Sequence, residues 1–369
     1  MIACVAGATG FVGGHLVRLL AERGDRVRAA YRSKDRLSRL GAFDVEPVKV
    51  DALDRGSVRR AVRGCDLVFH AVGYVGSRPA ELVWQVNAVA PRVAVEAAAA
   101  EGVGRVVLTS SVASLGPVPP GAVGDEDDPY RGGGLGLTYA DAKHEGEAEA
   151  LAAGARLGVE VVVVNPTYVL GVPVDDSLPG ETSTRAIGNY LRGRLPAVVD
   201  GSINVVNVHD VAAGHLRAAE RGQPGERYVL GGHDLSWIEL FDRVAELSGV
   251  RHPLVVLPAG LGDLAQAAES LGLPSPIAAE GFALMAQNWC YSSRKARREL
   301  GYRSRSLEKT LRPTIDWYLG LMETAAFDGQ RPSSLSLAAS GLRLADRTGL
   351  LGGLRAAERY LGRRLVAGG

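Results

Sequence analysis

The sequence predicts an α/β protein: a doubly wound parallel sheet with a smaller, mostly helical C-terminal lobe. Short Val-rich runs alternate with amphipathic stretches through the first half. That is the pattern of buried strands joined by right-handed helical crossovers. The first run, Ile2–Ala6, opens directly onto Gly7-Ala8-Thr9-Gly10-Phe11-Val12-Gly13 and then a helical pattern. After Asn165 the alternation loosens into loops, prolines and helices.

Buried strands are expected at Ile2–Ala6, Arg26–Tyr31, 45–50, 67–71, Arg105–Thr109 and 159–164, each bounded by Gly, Asp or Pro. Between them, 15–23 reads as a helix closed by Gly24. The longest helical patterns are 81–101 and 138–157. The stretch 166–201 is loop-rich, with one helix near 184–191. A strand at 203–208 and a helix at 211–220 are expected to return to the sheet, followed by a short strand at 227–230. From His233 to Leu319 the pattern is helical, broken by Pro253, Pro258, Pro274 and Pro276. The predicted division is 1–165, rejoined by 202–230, for the sheet domain; 166–201 and 231–325 for the lobe; and 326–369 for a tail.

The tail is basic and amphipathic. Arg331, Arg343, Arg347, Arg355, Arg359, Arg363 and Arg364 stand against Asp346 and Glu358. Leu350, Leu354, Ala357, Leu361 and Leu365 share one helical face. The tail is expected to pack on its own lobe, with peripheral contact to anionic lipid or a partner as the alternative.

Composition bounds the rest. A chain of 369 residues, 46% hydrophobic, can bury a sizeable core. Mean hydropathy is +0.04. A net charge of +1 gives no general attraction to nucleic acid or membrane, so no nucleic-acid partner is expected. Cys4, Cys65 and Cys290 are odd in number and widely spaced. They predict buried thiols, neither a disulfide framework nor a metal site. The opening apolar run is too short for a signal peptide. No run approaches the roughly 20 apolar residues of a membrane helix, so a cytoplasmic location is expected.

Gly7, Gly10 and Gly13 permit a tight turn and close backbone approach to a pyrophosphate. The helix that follows offers free N–H groups and the positive end of its dipole. Strand, loop and helix in that order are the setting in which this spacing means dinucleotide binding. Gly7, Thr9, Gly10, Phe11, Val12 and Gly13 are the candidate contacts. The second strand ends Ala30-Tyr31-Arg32-Ser33-Lys34, with no acid before Asp35. An acid there would bind the adenosine ribose hydroxyls and repel a 2′-phosphate. Arg32, helped by Lys34, would instead pair with that phosphate. The expected cofactor is NADPH (NADP), with NAD as the alternative.

Tyr139-Ala140-Asp141-Ala142-Lys143 puts a phenol and an ammonium on one helix face. A nearby cation favours phenolate, so Lys143 is expected to lower the Tyr139 pKa and suit it to acid/base work near neutrality. The strand ending Val107-Leu108-Thr109-Ser110-Ser111 brings hydroxyls to the C-terminal edge of the sheet. Ligands bind at that edge in open α/β folds. Ser111 there can hydrogen-bond a carbonyl or alcohol.

Glycine loop, strand-end serine and Tyr-x-x-x-Lys, in this order, resemble the extended short-chain dehydrogenase/reductase family, part of the NAD-dependent epimerase/dehydratase superfamily. The likeness covers roughly residues 1–318. It is extended by Val50-Asp51-Ala52, Phe69-His70-Ala71-Val72-Gly73, Val86-Asn87, Asn165-Pro166-Thr167 and Val208-His209-Asp210-Val211-Ala212. Tyr291-Ser292-Ser293-Arg294-Lys295-Ala296, followed by Glu299-Leu300-Gly301-Tyr302, looks like the family's C-terminal signature. Residues 198–232 and Ser110-Ser111-Val112-Ala113-Ser114-Leu115-Gly116 look most like the dihydroflavonol-4-reductase-like branch, which includes proteins called hopanoid-associated sugar epimerases.

The resemblance implies a Rossmann fold and a catalytic triad of Ser111, Tyr139 and Lys143. It puts Asp51 and Ala52 beside the adenine. Ala71, Val72, Gly73 and Thr109 would line the nicotinamide ribose, with Tyr139 and Lys143 also touching the cofactor. Asn165, Pro166 and Thr167 would face the nicotinamide and substrate. His209 and Asp210 would be structural. The family also implies a homodimer through the helices at 81–101 and 138–157.

Two absences narrow the reaction. Dehydratases of the family place an Asp-Glu pair beside the tyrosine, whereas here Thr138 precedes Tyr139 and Val112 follows Ser111. Nucleotide-sugar epimerases carry an arginine where this chain reads Ser202-Ile203-Asn204-Val205. An unpaired diphosphate would be poorly bound there, although Arg185, Arg192 or Arg194 could stand in. The reading is a ketone/secondary-alcohol oxidoreductase acting on a small, non-nucleotide substrate. The alternatives are an epimerase with retained NAD and a catalytically silent NADPH-binding regulator. Tyr74, Trp84, Tyr168, Tyr190 and Phe282 are candidates for an apolar pocket. The acidic run 125–128 is expected to be a solvated loop, and Gly132, Gly133 and Gly134 part of a mobile flap.

Overall fold

Seven strands form one sheet with every pairing parallel. They are β1 (Ile2–Ala6), β2 (Arg26–Tyr31), β3 (Glu46–Lys49), β4 (Leu67–His70), β5 (Arg105–Thr109), β6 (Glu160–Pro166) and β10 (Arg227–Leu230). The computed structural model describes residues 1–347 except 77, 178, 181–182, 261–278 and 328–333. The strand order is β10-β6-β5-β4-β1-β2-β3. It reverses direction beside β1, the switch point over which doubly wound sheets bind ligands.

The central strands are buried on both faces, because helices cover both. On one face α1 (Phe11–Glu22) packs Leu16, Val17 and Leu20 with Val211, Ala212 and Ala218 of α7 (Val208–Arg221). On the other, α2 (Arg55–Val62), α4 (Ala90–Ala100) and α5 (Thr138–Leu157) bury Val58, Val93 and Ala150 against Val68, Val106 and Val161. The helix expected at 81–101 is α3 (Ala80–Trp84) joined to α4 by a wider π turn, Gln85–Val89. Pro91 in the first turn of α4 has no N–H to bond backward, which suits this interruption.

The lobe is mostly helical, as expected, but it also holds strands that were not expected there. β9 (Ser202–Asn207) does not return to the central sheet. It is the centre of a second sheet with β7 (Tyr168–Leu170), β11 (His233–Ser236) and β13 (Asn288–Trp289). A third, two-stranded sheet pairs β8 (Ala197–Val199) with β12 (Val255–Leu257). Of the segment expected to rejoin the central sheet, α7 and β10 do so. Most of these extra strands are two to four residues long, too short for a period-2 pattern to register. Around them pack α6 (Thr184–Leu191), α8 (Trp237–Ser248) and the helix Leu307–Met322, sharing Ile187, Phe241, Ile315 and Tyr318. Ser236 and Glu239 form a capping box at the start of α8.

The family-like C-terminal signature fastens lobe to sheet. Tyr291 donates to the Gly116 carbonyl. Tyr302 donates to the Gly231 carbonyl at 3.1 Å. Ser293 accepts the Gly231 N–H at 2.8 Å. Cys4, Cys65 and Cys290 are free and buried. Among the described residues no helix is long and apolar enough to cross a membrane. Of the tail, the helix Ser334–Arg347 is described, with Leu337 and Leu344 exposed. The face expected from Leu350 to Leu365, with Arg355, Arg359, Arg363 and Arg364, lies outside the described residues, as do Pro274 and Pro276.

Candidate active site

The sheet order brings the sequence-predicted positions to one edge. Gly7 follows β1, Arg32 β2, Asp51 β3, Ala71 to Gly73 β4, Ser111 β5, and Thr167 the end of β6. Gly7 has φ +84°, and a Cβ there would lie 2.6 Å from the Ala71 carbonyl oxygen. A Cβ on Gly13 would lie 2.1 Å from the Gly7 carbonyl oxygen. Glycine at these two positions therefore lets α1 and the turn after β4 close onto the loop. Gly10 is the N-cap of α1, offers no side-chain cap, and is followed by no acid in the first turn. The N–H groups of that turn are left to an anion. Arg32 and Lys34 are exposed on the turn after β2. Asp51 is exposed, and its carboxylate accepts the Leu53 N–H at 3.0 Å.

Tyr139 and Lys143 lie on the first turns of α5, with the Tyr139 phenol near enough to Ser111 for that hydroxyl to lower its pKa. Ser111 caps the short 3-10 turn Val112–Ser114, its Oγ accepting the Ala113 N–H at 3.1 Å. Lys143 is buried, and its Nζ donates to the Thr109 carbonyl at 3.3 Å. Burial lowers its pKa to about 8, against the pull of Glu147 one turn on. The Tyr139 pKa moves opposite to the expectation. Burial pushes it up to about 12, and the hydrogen bond from Ser111 brings it down. Desolvation of the phenolate outweighs the neighbouring ammonium, which is turned onto a backbone carbonyl.

Several expected cofactor contacts are occupied elsewhere. His215 donates from Nδ1 to the Val211 carbonyl at 2.8 Å. Its Nε2 therefore accepts, and the Thr109 hydroxyl, 2.7 Å away, donates to it. Burial keeps this imidazole neutral, with a pKa lowered to about 4. Thr109 thus meets the site through its carbonyl, not its hydroxyl. Asn165 donates from Nδ2 to Glu147 at 2.8 Å and Ser114 at 3.0 Å, which fixes the floor below Ser111. Thr167 donates to Asn204 Oδ1 at 2.9 Å, away from the edge, and Pro166 is paired with Leu230.

Asn87 was matched in Val86-Asn87 without a role, and Glu147 was not picked out from the sequence. Asn87 accepts the Tyr74 N–H at 3.1 Å and donates to the Tyr74 carbonyl at 2.9 Å, holding the turn after β4. A Cβ on Gly73, in that turn, would lie 3.3 Å from Lys143 Nζ. Glu147 is buried, accepts from Ser114 and Asn165, and lies 3.4 Å from Arg227. Its spacing of four from Lys143 was the available signal.

Asp210 holds Arg305 through Nε at 2.9 Å and the backbone N–H at 2.8 Å. His209 meets Arg18 and the edge of His15. Of the aromatic candidates, Trp84 is exposed, and Tyr190 is lobe core, 5.2 Å from Phe241. Tyr168 packs edge-on to Trp237 at 5.3 Å, and Phe282 is buried. Asn204, at the position where an epimerase would carry arginine, is buried between Thr167, Gly232, Asp234 and Tyr291. Arg192 stacks on Phe327 at 3.8 Å.

A doubly wound sheet with an uncapped glycine turn at its switch point, and a tyrosine beside the strand-end serine above it, defines an NAD(P)-dependent oxidoreductase of the short-chain type. The chain belongs to the NAD dependent epimerase/dehydratase family, whose model matches residues 3–231. A Synechocystis protein named as a dihydroflavonol 4-reductase is 32% identical over 85% of this chain and 93% of its own. A Stigmatella aurantiaca protein, 4-hydroxy-2-methyl-3-oxo-4-farnesyl-3,4-dihydroquinoline-1-oxide ketoreductase, is 27% identical over 82% of this chain and 91% of its own. The crystal structure of a nucleoside-diphosphate-sugar epimerase from Pseudomonas aeruginosa superposes with a TM-score of 0.72, at 29% identity, over 87% of this chain and 98% of the other.

Proposed function

We propose that this enzyme is an NADPH-dependent reductase that interconverts a ketone and a secondary alcohol on a small, apolar, non-nucleotide substrate. The observation that carries the reading is the convergence of Ser111, Tyr139 and Lys143 at the sheet edge, where Ser111 lowers the Tyr139 pKa and the Lys143 ammonium meets the Thr109 carbonyl at 3.3 Å. A phenol with its pKa near 12 is fully protonated at neutral pH, ready to donate. Tyr139 would give that proton to the carbonyl oxygen, while Ser111 orients the oxygen by a second hydrogen bond. Lys143, beside Gly73, would meet the nicotinamide ribose. A dinucleotide held there would supply the hydride for the carbonyl carbon. Tyr139 is then reprotonated from solvent. Segments 166–201 and 231–325 would wall the substrate.

The names of two relatives, a dihydroflavonol reductase and a farnesyl-quinoline ketoreductase, support carbonyl reduction on an apolar molecule. The engagement of Asn204 and Arg192 disfavours a nucleotide diphosphate. An epimerase that retains NAD is the second reading, favoured by the likeness to the Pseudomonas enzyme.

The test is NADPH deuterated at C4, offered with a panel of aryl and isoprenoid ketones. Deuterium should appear on the product carbinol carbon, with NADP released. Tightly held NAD and no consumption of NADPH would overturn the reading in favour of epimerisation. Cofactor choice is tested at Arg32. Arg32→Ala should weaken NADPH binding about tenfold and leave NADH within about twofold. Equal losses for both cofactors would assign Arg32 no part in the choice.

A further inference from the structure

The helix that carries Tyr139 begins without a cap of its own. α5 starts after Leu137, whose side chain cannot accept from the free N–H groups of the first turn. The residue that meets them lies 141 positions further on. Glu280 Oε1 accepts the Tyr139 N–H at 3.2 Å. Thr138, the first residue of the helix, also lies close enough to lower the pKa of the same carboxylate. Glu280 is in the first turn of the lobe helix Ala279–Met285. A carboxylate there also answers the positive end of the α5 dipole. A second outside anchor grips the same turn: Tyr130 donates to Asp141 and stacks on His144 at 4.0 Å.

Further down, α5 is held separately. Lys143 is bonded to the Thr109 carbonyl, and Glu147 to Ser114 and Asn165. Removing the Glu280 contact would therefore free the backbone of Tyr139 while leaving the lower turns in place.

We propose that Glu280 is a positioning residue that ties the substrate lobe to the first turn of α5 and so sets the Tyr139 phenol against Ser111. This rests on Tyr139 being the proton donor of the reaction proposed above. Glu280 touches the Tyr139 backbone, not the reacting atoms. Its loss should lower kcat and leave cofactor affinity alone.

Three variants test it: Glu280→Ala, Glu280→Gln and Glu280→Asp. Hydrogen–deuterium exchange is followed in peptides covering 138–143 and 147–157. Glu280→Ala should speed exchange in the first peptide by about fivefold and leave the second unchanged, which also reports that the fold is intact. Glu280→Gln, whose amide oxygen can still accept, should stay within about twofold of the native protein. Glu280→Asp keeps the charge but is one methylene short, and should follow Glu280→Ala. On a ketone that the native enzyme reduces, Glu280→Ala should lose about tenfold in kcat with the NADPH Kd within about twofold. Native exchange in Glu280→Ala, faster exchange with native kcat, or equal losses in Glu280→Gln would each overturn the proposal. A native enzyme that reduces no ketone would refute the reaction. The exchange arm would still decide whether Glu280 holds the turn.

Discussion

Two helix N-termini face the same edge of the central sheet, and they are treated in opposite ways. α1 begins at Gly10 with no side-chain cap and no acid in its first turn. α5 begins at Leu137 and has its first turn covered by the carboxylate of Glu280. The first arrangement leaves N–H groups and dipole for an anion; the second spends them on a protein carboxylate and fixes a side chain instead. A carboxylate over α1 would repel a phosphate. Open amides under Tyr139 would leave the phenol on a loosely held turn.

The largest way to break the α1 side is to add one methyl. A Cβ on Gly13 would lie 2.1 Å from the Gly7 carbonyl oxygen, a backbone atom that cannot swing aside. Gly13→Ala should push α1 off the turn, cost about 1–3 kcal/mol of stability and weaken NADPH binding by roughly a hundredfold. Fluorescence titration and thermal melting check both. Native affinity in this variant would mean that the turn is not the phosphate site.

Protonation stresses both helix regions alike. His15 on α1 and His209 on α7 are held neutral by burial, lowered to about 3 and about 4. His70 below Lys143 and His215 below Thr109 are likewise lowered, to about 3 and about 4. Their folded-state pKa values lie below the ordinary value near 6.5, so the unfolded chain takes up protons that the native state refuses. The stability they contribute is whole above about pH 6.5 and is lost as pH falls toward 4. The melting temperature should drop by on the order of 10 °C between pH 7.5 and 5. A flat profile would contradict neutral burial of these rings.

The same contrast governs what could be read from the sequence. Gly7, Gly13, Tyr139 and Lys143 fall in short motifs, so spacing alone exposes them even though Ala71 and Thr109, which they meet, are distant in sequence. The strand at 202–207 was recognisable, but not its partners β7, β11 and β13, because pairing is not a local property. The hydroxyl of Thr109 could have faced either side of the strand edge; His215, 106 positions later, decides it. Glu280 has no local signal at all. The apolar-pocket set failed for Trp84 and Tyr190 because an aromatic residue serves core and surface as readily as a pocket.

The most direct test of the account is Tyr139→Phe, which removes one oxygen and leaves the ring, Lys143 and the glycine turn. Hydride transfer from deuterated NADPH to ketone should fall by about a thousandfold or more, with the NADPH Kd within about twofold of native. Deuterium transfer at the native rate in this variant would contradict the assignment of Tyr139 as the proton donor.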